Sequence, residues 1–167
     1  MPQEWVDRDD RIAGDCPAGP VHDGEPLARL LNAESYRDGQ IQDVAFQTKY
    51  LLRPKEPINN RPGERHGESL HRSSGLNDED LRAVSNSLRP TSARGAAVAL
   101  AADIRDLSVP GVPSVQLFYI YEDPLPDEPR HAVIRYTDNP ACKSASKLAR
   151  KSLIALFQKR IVQGDQP

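Results

Sequence analysis

Apolar residues in this chain recur in short bursts with different periods, and those periods predict its elements. In "DEDLRAVSNSL", residues 78–88, Leu81, Val84 and Leu88 fall on one helical face, Asn77 is placed to cap, and three carboxylates fill the first turn. "ARGAAVALAADIRDL" puts Ala97, Leu100, Ala101 and Ile104 on a narrow stripe, which predicts a second helix over 92–107 packed closely on a sheet. Residues 141–162 predict a third, with Ala145, Leu148, Ala149, Leu153 and Leu156 facing inward. "PLARLLNAES", from Pro26, reads as a shorter helix burying Leu27, Leu30 and Leu31. Strands are predicted at 44–52 ("VAFQTKYLL"), 115–122 and 131–136. The run at 115–122 is apolar on both faces and therefore reads as central. Ala132, Ile134 and Tyr136 share one face of the last strand. The expected fold is α+β: a small, mainly antiparallel sheet packed by three helices, with long proline-rich loops.

Composition sets the limits of this picture. Leu, Ile, Val and Phe total 37 of 167 residues, enough for one domain with a core, while 15 prolines demand much irregular chain. Residues 1–24 mix Pro2, Pro17 and Pro20 with glycines and acids, an irregular arm in which Trp5 could anchor. Residues 25–167 form the expected single domain. Residues 53–75 show no clear element, and a stretch of that length is a candidate partner-binding loop through Arg61, Arg65, His66, His71 and Arg72. Cys16 and Cys142 lie too far apart in sequence to suggest a disulfide framework or a zinc pair, so both are expected as free thiols. The acidic start lacks the basic and apolar regions of a signal peptide, and no apolar run reaches membrane-span length, so a cytoplasmic, non-membrane protein is expected.

Charge is uneven. Residues 1–138 carry 16 basic and 23 acidic side chains, whereas residues 139–167 carry six basic and one acidic. On the last predicted helix Lys143, Lys147, Arg150 and Lys151 gather opposite the apolar face. The sequence "PRH" at 129–131 precedes the last strand, and "KSASK" opens the helix. Over about 45 residues this order of helix, two strands and basic helix resembles the second half of a double-stranded RNA-binding domain. The resemblance implies that the loop carrying His131 enters a minor groove while Lys143, Lys147, Arg150 and Lys151 meet phosphates. Asp123, Asp127 and Glu128 sit in the same loop, and they repel phosphate.

Other candidates carry weaker signals. His66, Glu68 and His71 fall within six residues, but the histidine spacing suits neither one helix face nor one strand face, so no metal is expected. His131 and Arg135 share a strand face and, with Glu122 nearby, could bind an anion, although a histidine satisfied by a carboxylate is the commoner outcome. Cys142 at a helix start, with His131 as base, is a remote nucleophile reading. Nucleophile-elbow, phosphate-loop and dinucleotide signatures are missing, and no cofactor is expected. These observations favour a non-catalytic binding or adaptor protein acting through a protein partner. RNA or DNA binding through the basic stripe comes next, and an enzyme built around His66/Glu68/His71 or His131/Cys142 third.

Overall fold

The computed structural model describes residues 21–51, 67–109, 111–137 and 140–165. In chain order the elements are β1 (Pro26–Asn32), β2 (Tyr36–Arg37), β3 (Gln40–Ile41), a 3-10 turn (Asp43–Ala45), α1 (Thr48–Leu51), β4 (Glu68–Arg72) and α2 (Asp78–Leu88). Then follow β5 (Ala93–Leu100), α3 (Ala101–Arg105), β6 (Ser108–Val109), β7 (Val112–Gln116), β8 (Phe118–Glu122), β9 (His131–Tyr136), α4 (Pro140–Ser144), α5 (Ser146–Gln158) and β10 (Ile161–Gln163). The class is α+β. Its centre is a six-stranded sheet in the order β10-β5-β1-β4-β9-β8, antiparallel at every pairing, accompanied by two two-stranded ribbons.

Each strand sends alternate side chains to opposite faces, and the two faces are covered differently. One face carries Leu27, Leu31, Leu70, Ala97, Ala132, Ile134, Tyr136, Phe118 and Ile120, and α5 lays Ala149, Leu153 and Phe157 on it. Phe157 packs against Phe46 with ring centroids 5.1 Å apart. The other face carries Ala28, Ala96, Val98 and Val162, covered by Leu81 of α2 and the flanking Leu76. α2 starts as predicted, in a reciprocal cap: Asn77 accepts from the Asp80 N–H at 2.8 Å, and Asp80 accepts from the Asn77 N–H at 3.0 Å.

Several expected elements change identity. "PLARLLN" is the central strand β1; its apolar residues are buried on both faces, which removes the alternation that distinguishes a strand from a helix. The expected helix at 92–107 is strand β5 followed by the short α3. Alanine is the strongest helix former, but propensity is a small term that tertiary pairing overrides: Ala96 and Ala97 are fully buried on opposite faces, where small side chains let α2 and α5 approach the sheet. The expected strand at 44–52 is instead the 3-10 turn and α1, which deliver Ala45, Phe46 and Leu51 to the core. The run at 115–122 is divided at Leu117 between β7 and β8, and β8 is the last strand of the described sheet rather than a central one.

The expected terminal helix is divided into α4, α5 and β10. Leu148 is 57% exposed instead of buried, and Leu88 is also exposed. α3 precedes β8 with the short β6 and β7 between them, and β9 leads on to α4 and α5. Within the loop expected over 53–75, β4 is an interior strand. No described helix is long and apolar enough to cross a membrane.

Candidate functional site

Among the described residues the sheet opens between β1 and β4. β1 and β4 pair only at Leu27–Arg72 and Ala28–His71, whereas β4 and β9 stay in register from His71–His131 to Glu68–Ile134. The Arg72 N–H bonds the Arg130 carbonyl across the β4–β9 ladder. Antiparallel alternation therefore turns the backbone groups of Leu70 and Glu68 toward β9, and those of Ser69 and His71 toward β1. At Ser69 no β1 residue stands in register. The Arg29 side chain enters the gap instead: Nη1 donates to the Ser69 carbonyl at 3.0 Å, Nε to the Ala45 carbonyl at 2.8 Å, and Nη2 to Glu68 Oε2 at 3.1 Å.

A cavity of about 300 Å³ occupies this opening, lined by Arg29, Asn32, Gln47, Tyr50, Ser69 and Arg89 among others. Its volume is at the lower end of small-molecule sites. Glu68 lies in its wall, buried beside Arg29, and also accepts from the Gln47 N–H at 3.4 Å. Burial raises its carboxyl above the ordinary range, a shift that Arg29, the Gln47 N–H, Lys49 and Arg89 oppose without cancelling.

Ser69 also connects to the neighbouring strand. Its Oγ lies 3.0 Å from His131 Nε2. On the far side of the ring, His131 Nδ1 lies 2.8 Å from the Asp123 carbonyl oxygen and 3.2 Å from Asp123 Oδ2. Two acceptors meet at Nδ1, so Nδ1 carries the proton, and Nε2 of the neutral ring is left to accept from the Ser69 hydroxyl. Burial of the ring disfavours its charged form, but the hydrogen bonds and charge of Asp123, with the charge of Glu128, outweigh it and raise the His131 pKa. His71, in register with His131, goes the other way: burial lowers its pKa, Arg130 and His131 add to the shift, and only Glu128 opposes it.

The arrangement contains a hydroxyl, an imidazole with its tautomer fixed, and a carboxylate behind it, in the hydrogen-bonded order used to activate an oxygen nucleophile. Ser69 is itself exposed, while His131 and Asp123 are buried.

The structure separates other candidates that the sequence placed together. Glu68 points into the core-facing side of β4 and His71 to the opposite face; among the described residues no three potential ligands form a metal group. Cys142 is a buried free thiol at 3.1 Å from Thr137 Oγ1, on the core face, whereas His131 is on the other. Arg135 shares the His131 face and stacks its guanidinium over Tyr119 and Tyr121 at 5.7 and 5.1 Å, with Nη2 donating to the Tyr121 hydroxyl at 3.2 Å. The carboxylate that meets His131 is Asp123, while Glu122 belongs to the core face.

Arg72 forms a two-pronged pair with Glu25, both contacts 2.9 Å. Lys143 lies in α4, Lys147 and Lys151 are exposed on α5, and Arg150 is half-buried, donating to Thr48 Oγ1 at 3.3 Å and approaching Asp43 at 3.6 Å. Trp5, Cys16, Arg61, Arg65 and His66 lie outside the described residues. Ser69 escaped the sequence reading because "ESLHR" has a single apolar residue, which hides β4 from any hydrophobic pattern. Comparison with known proteins finds no matching family model, no matching curated protein and no matching solved structure.

Proposed function

We propose that this chain is a small hydrolase of the acyl-transfer type, with Ser69 as nucleophile, His131 as general base and Asp123 as the residue that positions it. The observation that carries this reading is the continuous contact from Ser69 Oγ through His131 to Asp123, beginning at the wall of a polar cavity. In the first step Ser69 Oγ attacks an ester carbonyl carbon while its proton passes to His131 Nε2. The tetrahedral oxyanion collapses, the C–O bond of the ester breaks, and the departing alkoxide takes the proton back from His131. Water then attacks the acyl-serine, His131 removes its proton and returns it to Ser69 Oγ, and a carboxylic acid leaves. The Ser69 N–H points toward β1 into the gap and supplies one donor to the oxyanion, the role that preorganised backbone N–H groups serve in such sites.

The test is covalent labelling with a fluorophosphonate, read by intact mass and peptide mapping. Wild type is expected to take up one equivalent at Ser69, S69A none, and H131A at a rate lowered by at least about 100-fold. Because Ser69 is exposed, S69A is expected to remain folded. Absence of labelling in folded wild type, or equal labelling of S69A, would sink the proposal.

One observation favours a second reading, the non-catalytic binding protein acting through a protein partner. Leu148 exposes 57% of its surface on α5, between exposed Lys147 and Lys151. Under that reading a copurifying polypeptide is lost on Leu148→Asp and retained by S69A.

A further inference from the structure

The charged groups around the opening are unequally committed. Arg29 has every nitrogen engaged, to the Ala45 carbonyl, the Ser69 carbonyl and Glu68. Glu68 is thereby matched by Arg29, and Lys49 lies 4.7 Å over the ring of Tyr50. Arg89 also lines the cavity and acts electrostatically on both Glu68 and Arg29, yet among the described residues its side chain has neither a hydrogen bond nor an ion pair. The remaining acid of the lining, Glu34, is exposed and forms no ion pair with Arg89.

The backbone of Arg89 is held firmly at the end of α2. Its N–H donates to the Ser85 carbonyl at 3.0 Å, and its own carbonyl accepts from Ala93 at 2.9 Å and Ser92 at 3.3 Å. An uncommitted guanidinium carried on so anchored a backbone, by a half-buried residue of the cavity wall, is suited to a planar oxyanion through paired N–H donors.

We infer, resting on the hydrolase reading, that the substrate is an ester carrying a second, anionic group, a carboxylate or phosphate, which Arg89 holds while Ser69 faces the scissile carbonyl. Arg29 and Glu68 neutralise each other in the wall, so Arg89 supplies the net attraction. Ser69 and Arg89 line the same cavity of about 300 Å³, which restricts the substrate to a short acyl chain between its two ends.

The experiment compares 4-nitrophenyl acetate with mono-4-nitrophenyl succinate and a phosphate-bearing 4-nitrophenyl ester, at constant ionic strength. Wild type is expected to favour one anionic ester in kcat/KM. R89Q is expected to lower the anionic-to-neutral ratio by about 10- to 100-fold, the range for one charge-assisted contact, with R89K between the two. Succinate or phosphate is expected to slow fluorophosphonate labelling of Ser69 in wild type and to lose that effect in R89Q. Thermal melts establish that the variants are folded. Turnover of neutral and anionic esters at equal kcat/KM, with R89Q leaving the ratio unchanged, overturns the inference and leaves Ser69 as nucleophile. Failure of Ser69 to label in wild type overturns both.

Discussion

Replacing Asp123 by Asn isolates the charge behind His131 while retaining an oxygen to accept from Nδ1–H. At 3.2 Å and an effective dielectric near 20, the gross attraction between an imidazolium and the carboxylate is about 5 kcal/mol, and burial of both groups offsets much of it. Asn keeps a neutral hydrogen bond, so the net loss is the difference between a charge-assisted bond and an ordinary one, about 1–2 kcal/mol. That loss applies only while His131 is protonated. Its pKa in the fold is raised above the unfolded value of about 6.5, so the stabilisation is fully present below that pH and disappears as pH rises through the folded value. His71, whose pKa is lowered by burial, contributes with the opposite sign, and its own substitution by Gln in both proteins removes that contribution from the comparison.

Urea unfolding of wild type and D123N at pH 5.5 and pH 9 tests this directly. The wild-type advantage is expected to be about 1–2 kcal/mol larger at pH 5.5. The His131 ring resonance in D123N is expected to titrate at lower pH than in wild type, and the ascending limb of Ser69 labelling against pH is expected to move with it. Glu128 and His71 still face the ring, so the shift reports Asp123 alone. An advantage that is equal at the two pH values, or larger at pH 9, refutes the reasoning.

Two further outcomes test the packing. Phe157→Ala is expected to cost about 3–5 kcal/mol in urea unfolding, because the ring is fully buried against Phe46, whereas Leu148→Ala on the same helix should change stability by no more than about 0.5 kcal/mol. Gly95→Ala is expected to lower stability by about 2–5 kcal/mol: Gly95 has φ +94°, and a Cβ there would fall on the Val162 carbonyl oxygen, so amide exchange in β10 should rise far above that in β9.

The fold class, α2 with its cap, and β9 were legible because their signals are local. Asn77, the three following acids and Leu81 need no knowledge of the rest of the chain. β1 and β5 were hidden by the opposite condition. Each lies between two neighbours and has small or apolar residues on both faces, so the period-2 pattern is lost. The loop histidine was legible as a strand residue satisfied by a carboxylate. Its partner on the other side was not, because Ser69 and His131 lie 62 positions apart and meet only through the β4–β9 register.

β10 has a consequence for how molecules of this chain meet one another. Without Ile161–Gln163, the side of β5 that they cover would present the backbone groups of Gly95, Ala96 and Ala97, a flat small-residue border open to a strand from another copy. With β10 in place that border is three residues long and carries exposed Gln163 at its end, and the turn before it exposes Lys159 and Arg160. β10 thus guards the sheet against association with another copy while its Val162 completes the core under α2, so the same three residues serve solubility and packing together.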